Sequence, residues 1–166
     1  RLEIKDAAVR IAYLRQLCYI SSALHENDKT IEYATEIAIH GLTNNHQGFA
    51  HGLLGQAYSQ KGEYDKAIGY LENALAIFLK DVGAEHPDLG TTYNEIGLAY
   101  GKKGEYDKAI GYFEKTLAIY LKTLGAEHPD LGTTYNNIGS VYNNKGDKTK
   151  AMAYLLKAKE IFLKKL

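Results

Sequence analysis

The chain has no tryptophan, and only one cysteine, one methionine and two prolines among its 166 residues. A single thiol, Cys18, excludes an internal disulfide and any zinc site built on cysteines. Twenty basic residues balance twenty acidic ones, so no net field draws the chain to nucleic acid or to an anionic membrane. The one basic concentration, Lys157, Lys159, Lys164 and Lys165, reads as a solvated face that complements the C-terminal end of a helix dipole. No apolar run approaches the ~20 residues needed to cross a bilayer, and no secretory leader is visible. The expected location is therefore the cytoplasm. Phosphate-binding loops and the G-x-S-x-G nucleophile turn are absent too.

What the chain does have is repetition. Gly83 to Asn94 recurs letter for letter as Gly125 to Asn136, an offset of 42, and Gly62 to Tyr70 recurs at the same offset as Gly104 to Tyr112. A fixed period in this range marks a stacked array whose units bury their apolar faces against one another. Within one unit Tyr93, Ile96, Gly97 and Tyr100 lie on one stripe, as do Ile110, Phe113, Leu117 and Tyr120 after a break at Lys103-Gly104. Spacings of three and four make each stripe an amphipathic helix. Gly104 supplies a left-handed turn between the two, Gly125 stops the second, and His86-Pro87 and His128-Pro129 open the next helices, where proline costs no hydrogen bond. Each unit is thus a helix hairpin. The periodicity predicts helices over about 8–24, 27–41, 47–60, 64–81, 87–102, 106–123, 129–144 and 148–165, with no strand. Residues 1–166 then form one domain of four units, at 8–46, 47–86, 87–128 and 129–166.

The order of these residues resembles the tetratricopeptide repeat: a large residue, Leu-Gly, Tyr, then Ala and an aromatic at fixed spacings. His51, Leu54, Gly55, Tyr58, Ala67 and Leu71 fill the pattern in one unit, and Tyr135, Ile138, Gly139, Tyr142, Ala151 and Leu155 fill it in the last. A weaker first unit carries Leu14, Leu17, Cys18, Ser21, Thr30 and Ala34. The longer period, the connector Leu124 to Asp130 and the run Tyr135-Asn136-Asn137-Ile138 are similar to kinesin-light-chain repeats and to the arrays of large bacterial proteins. Gly69 and Gly111 inside second helices, and Gly52-Leu53 in place of the Asn pair, depart from the animal light chains. The resemblance implies an all-α, right-handed α-solenoid of antiparallel hairpins. It implies a protein-interaction role rather than catalysis.

Most of the fourteen tyrosines fall at equivalent slots and are expected to pack in the core or between repeats, not to cage a ligand. His25, His40, His46, His51, His86 and His128 show no metal-ligating spacing, so neither metal nor cofactor is expected; the connector histidines are expected to cap helices. Cys18 fills the slot of Gly55, Gly97 and Gly139 and reads as a small buried thiol.

In the family the resemblance points to, first helices line a concave groove. The slots one step off the packing stripe are Arg15, Tyr19 and Ser22; Gly52, Gln56 and Ser59; Asn94, Leu98 and Gly101; Asn136, Ser140 and Asn143, with Glu95 and Asn137 beside them. Amides donate and accept at once, which suits an extended peptide backbone, and the small residues leave room for its side chains. The lysines and arginines of a carboxylate clamp are nearly missing. The expected function is to hold an extended peptide or partner helix, as part of a longer multidomain protein. Two alternatives stand beside it: self-assembly through the apolar last helix (Met152, Leu155, Leu156, Ile161, Phe162, Leu163), and regulation of an enzyme elsewhere in the parent chain.

Overall fold

The computed structural model describes residues 6–41, 43–82 and 87–164. Every regular element among them is an α-helix: α1 (Ala7–Ala23), α2 (Asn27–His40), α3 (Asn44–Gln60), α4 (Tyr64–Val82), α5 (Pro87–Lys103), α6 (Tyr106–Thr123), α7 (Pro129–Lys145) and α8 (Lys148–Leu163). They form two compact units, Arg1–Gly83 and Ala84–Leu166, each made of two packed hairpins. This is the all-α solenoid class that the repeat pattern implies.

The expected boundaries hold to within a residue or two except at α3, which begins at Asn44 instead of 47. Thr43 explains the difference: its side chain accepts a hydrogen bond from the His46 amide at 3.3 Å and caps a turn that the pattern assigned to the connector. Asp6 caps α1 in the same way, through the Ala8 amide at 2.9 Å. At α7 the His128 ring does it, with Nδ1 accepting from the Asp130 amide at 3.3 Å, as expected of a connector histidine. His86 lies outside the described residues.

All four hairpins close with one turn. The residue at its corner is left-handed: Gly62, Gly104 and Gly146 at φ +80°, +89° and +90°, and His25 at φ +58°. The next amide then reaches back five residues, from Glu26 to the Ser21 carbonyl, Glu63 to Tyr58, Glu105 to Tyr100 and Asp147 to Tyr142, at 2.8–2.9 Å. Glycine enters this region without a steric penalty; His25 is the one non-glycine that does so among the described residues.

Each complete hairpin is locked by two notches. An ideal Cβ placed at Gly97 would sit 2.8 Å from the Phe113 ring, and one at Gly90 would sit 2.3 Å from the ring of Tyr120. Gly55 and Gly48 face Leu71 and Phe78, and Gly139 and Gly132 face Leu155 and Phe162, in the same manner. Only hydrogen fits where these knobs enter. Cys18 takes the notch position in α1 and is fully buried, which pushes its thiol up to about 11. In the first hairpin a buried hydroxyl pair, Ser21 and Thr30 at 2.8 Å, stands where the others place a tyrosine and an alanine.

The hairpins stack within each unit. Ile11, Leu14, Cys18, Ala34, Ile37, Ala50 and Leu54 make one core; Ala109, Ile110, Phe113, Ile138 and Val141 make the other. An ion pair spans each seam at the hairpin turns: Lys61 to Asp28 at 2.6 Å, and Lys145 to Asp107. These pairs are exposed and add little; the apolar seams beneath them hold the hairpins together.

The tyrosines pack against the cores, as expected: Tyr58 and Tyr70 against one, Tyr100, Tyr142 and Tyr154 against the other. They stack within hairpins: Tyr58 on Tyr70, Tyr100 on Tyr112 and Tyr142 on Tyr154, with ring centroids 5.4–5.6 Å apart and nearly parallel planes. All are half-buried.

Candidate functional site

Within the second unit, α5 and α7 lie side by side and present a face opposite their notch glycines. Asn136, Ser140 and Asn143 sit on α7 at i, i+4 and i+7, exposed and without a side-chain partner among the described residues. Next to them Thr91, Asn94, Tyr120, Asp130, Thr133 and Thr134 line a cleft of about 200 Å³. Its walls are built from within. The hydroxyls of Thr91 and Tyr120 meet at 3.2 Å, and Thr134 Oγ1 donates to the Asp130 carbonyl at 2.8 Å. The cleft therefore offers hydroxyl and amide groups and one carboxylate, a set that suits peptide backbone and polar side chains.

Several expected groove residues are also engaged within the protein. Asn94 is half-buried and accepts from Asn137 Nδ2 at 3.1 Å, so this amide pair ties α5 to α7 before any ligand arrives. Leu98 packs against the core. Gly101 is small because α7 is close: a Cβ there would lie 3.3 Å from Val141. In the first unit Ser59 is buried and Gln56 half-buried. A Cβ at Gly52 would meet nothing within 4 Å, and Ser22 is half-buried. The inner side of α1 and α3 is aromatic: Tyr19 and Phe49 rings are 5.5 Å apart, and the Arg15 guanidinium lies 4.7 Å over Phe49. The pattern-based reading missed Thr91, Phe49 and Thr133. The signal was present, since each lies one turn before Asn94, Gly52 and Asn136 and therefore on the same helix face.

Burial disturbs the Glu95 carboxylate on α5. Desolvation raises its pKa, Lys102 opposes the rise, and no ion pair reaches it among the described residues. The folded state therefore holds this proton more tightly than the unfolded chain does. Its charge burdens the fold at neutral pH, and the burden lifts as pH falls through the raised pKa towards 4.5. Glu95→Gln is expected to raise the neutral-pH stability, with the gain shrinking to nothing below the unfolded value. Urea titrations of both proteins across that range would show it; a gain that did not change with pH would assign the effect to packing.

Other features offer less. The turn-end hollow of 350 Å³ is lined by His25, Glu26, Asn27, Asp28, Lys29 and Lys61, and its Lys29–Glu26 and Lys61–Asp28 pairs consume the charge. The tyrosine stacks carry their own cations, with Lys66, Lys108 and Lys150 5.1–5.2 Å over Tyr58, Tyr100 and Tyr142. His51 stacks on Tyr70 at 5.7 Å, and burial lowers its pKa. No group of three metal-ligating side chains converges among the described residues, and no helix there is long and apolar enough to cross a membrane.

A family model described as "Tetratricopeptide repeat" matches residues 46–122 and 89–164. No curated protein matches the chain. Solved structures do. One is BtubC (BKLC) from P. vanneervenii, 24% identical over 98% of this chain and 67% of that one, with a TM-score of 0.84. A second is a candidate kinesin light chain with nearly identical TPR-like repeats from Podosopora anserina, 25% identical over 93% of this chain and 76% of that one, with a TM-score of 0.73. MamA is 28% identical over 93% of this chain and 80% of its own, with a TM-score of 0.71.

Proposed function

Because the chain belongs to the tetratricopeptide repeat family, whose members are protein-interaction modules, we propose that the α5–α7 face holds an extended peptide. The observation that carries this reading is the free row Asn136, Ser140 and Asn143 on α7. The four-residue step from Asn136 to Ser140 rises about 6 Å, close to two residues of an extended chain at about 3.3 Å each, so these two side chains can meet alternate peptide units. Amide and hydroxyl groups pair with backbone N–H and C=O without demanding a particular side chain. Asp130 at the rim adds a preference for a donor. Nothing in this arrangement calls for a reaction, and the reading is of a binding module without catalysis.

The test separates free amides from engaged ones. Asn136→Ala is expected to weaken binding of an extended peptide by about 0.5–1.5 kcal/mol and to leave the melting temperature unchanged. Asn94→Ala is expected to lower stability as well, because Asn137 loses its acceptor. Calorimetric titration against a peptide library, with melting curves on each variant, distinguishes the two. If Asn136→Ala bound every library hit as tightly as the parent, the row would be merely a solvated surface.

A further inference from the structure

The second helices α4, α6 and α8 share their repeat positions but not their outer chemistry. In α6 the stripe Tyr106, Ile110 and Leu117 receives α7; Ile110 is 7% exposed there, and Asp107 beside it takes the Lys145 ion pair. The same stripe in α8 reads Lys148, Met152 and Lys159, extended by Leu156 and Leu163, and Thr149 replaces the acid. Met152, Leu156 and Leu163 are 59%, 55% and 56% exposed. Lys148 and Lys159 carry no ion pair among the described residues, whereas Lys164 is held by Glu127 and Glu160. These five side chains fall within one narrow sector of the helix, so apolar and cationic groups alternate along a single edge.

In α6 the Tyr106, Ile110 and Leu117 positions of this edge receive α7, whereas Glu114 and Leu121, the counterparts of Leu156 and Leu163, are exposed; α8 carries the apolar surface further along the edge. The charge has been inverted. A further repeat of the same kind would bring its turn lysine, the counterpart of Lys61 and Lys145, to a site that has lost its aspartate and gained two cations. The first helix of a second copy stacked head to tail, α1, has no acidic residue to offer Lys148 and Lys159, and its Arg10 is already paired with Glu36. We propose that the Lys148–Met152–Leu156–Lys159–Leu163 edge of α8 docks an amphipathic helix of a different protein, one whose apolar ridge is flanked by carboxylates. The ridge buries Met152, Leu156 and Leu163, and the carboxylates meet Lys148 and Lys159.

The probe is a pair of synthetic helices of about four turns with the same leucine ridge, flanked by Glu in one and by Lys in the other. Fluorescence anisotropy on the full chain is expected to show the acidic peptide binding on the order of tenfold tighter, with the margin shrinking at high salt. Exchange of both cations (K148E with K159E) should reverse the preference, Leu156→Asp should abolish binding of either peptide, and Asn136→Ala should change nothing. Both lysines are exposed, so the charge exchange stays informative even if Leu156→Asp perturbs the helix. Equal affinity for the two peptides would overturn the proposal. So would dimers in sedimentation that Leu156→Asp dissolves, which would make a second copy the occupant. Tighter binding to phosphatidylserine vesicles than to the acidic peptide would also overturn it and assign the edge to a membrane surface.

Discussion

Gly97→Leu is expected to destabilise the chain by about 1–3 kcal/mol or more, the upper end being the expectation because rigid groups must move. The Phe113 ring is fully buried against the notch, and even a single carbon at Gly97 would approach it to 2.8 Å. A leucine therefore has to separate the backbones of α5 and α6. Gly111 supplies the contrast within the same hairpin. A Cβ there meets nothing within 4 Å, so Gly111→Ala gains helix propensity alone and is expected to stabilise by up to about 1 kcal/mol. Chemical denaturation of the two variants beside the parent gives both numbers. Should Gly111→Ala prove the more damaging, the assignment of inner and outer faces would be reversed.

The knob is expected to matter more than the notch. Phe113→Ala removes the largest fully buried side chain among the described residues, which joins the notch at Gly97 to Ile138 and Val141 in the stacked core. Truncation of a buried phenylalanine costs about 3–5 kcal/mol, including the cavity it leaves. Phe113→Leu is expected to lose less than about 1.5 kcal/mol, because Leu71 and Leu155 fill the equivalent notches at Gly55 and Gly139. Equilibrium unfolding distinguishes the cases. A small loss for Phe113→Ala would mean that the hairpin closes without its knob. Because repeat arrays gain stability from nearest neighbours, the α5–α6 hairpin and its contact with α7 should open first.

The helices were legible because their signals are local. Spacings of three and four and a glycine at each turn appear in three successive copies, and a proline opens the first helix in two of them, at Pro87 and Pro129. The start of α3 was not legible, since Thr43 caps it in a connector that has no counterpart in the other units. The pairing of tyrosines was hidden for a different reason. Tyr100 and Tyr112 sit on different helices, and period alone says that each is partly buried, not that they stack 5.5 Å apart. Of the candidate groove, Asn136, Ser140 and Asn143 came through as free polar groups. Asn94, Asn137, Leu98, Gly101 and Ser59 are engaged within the protein as well, because a small or polar residue one step off the packing stripe is equally what two close helices require. Sequence reports the face; distance between neighbouring helices decides whether a ligand or the protein itself uses it.

Notch and knob lie within the same 42-residue segment: Gly97 and Phe113, like Gly90 and Tyr120, fall inside the period that separates Gly83 from Gly125. A tandem duplication of that segment would arrive already able to close on itself and would need to match the rest of the chain only along its seams. Inheritance in whole units of this kind accounts for stretches that remain letter-identical at Gly83–Asn94 and Gly125–Asn136, while residues at the outward edge, such as Tyr106 against Lys148, diverge. Copy number is then the property of the lineage that can change with the least harm to folding.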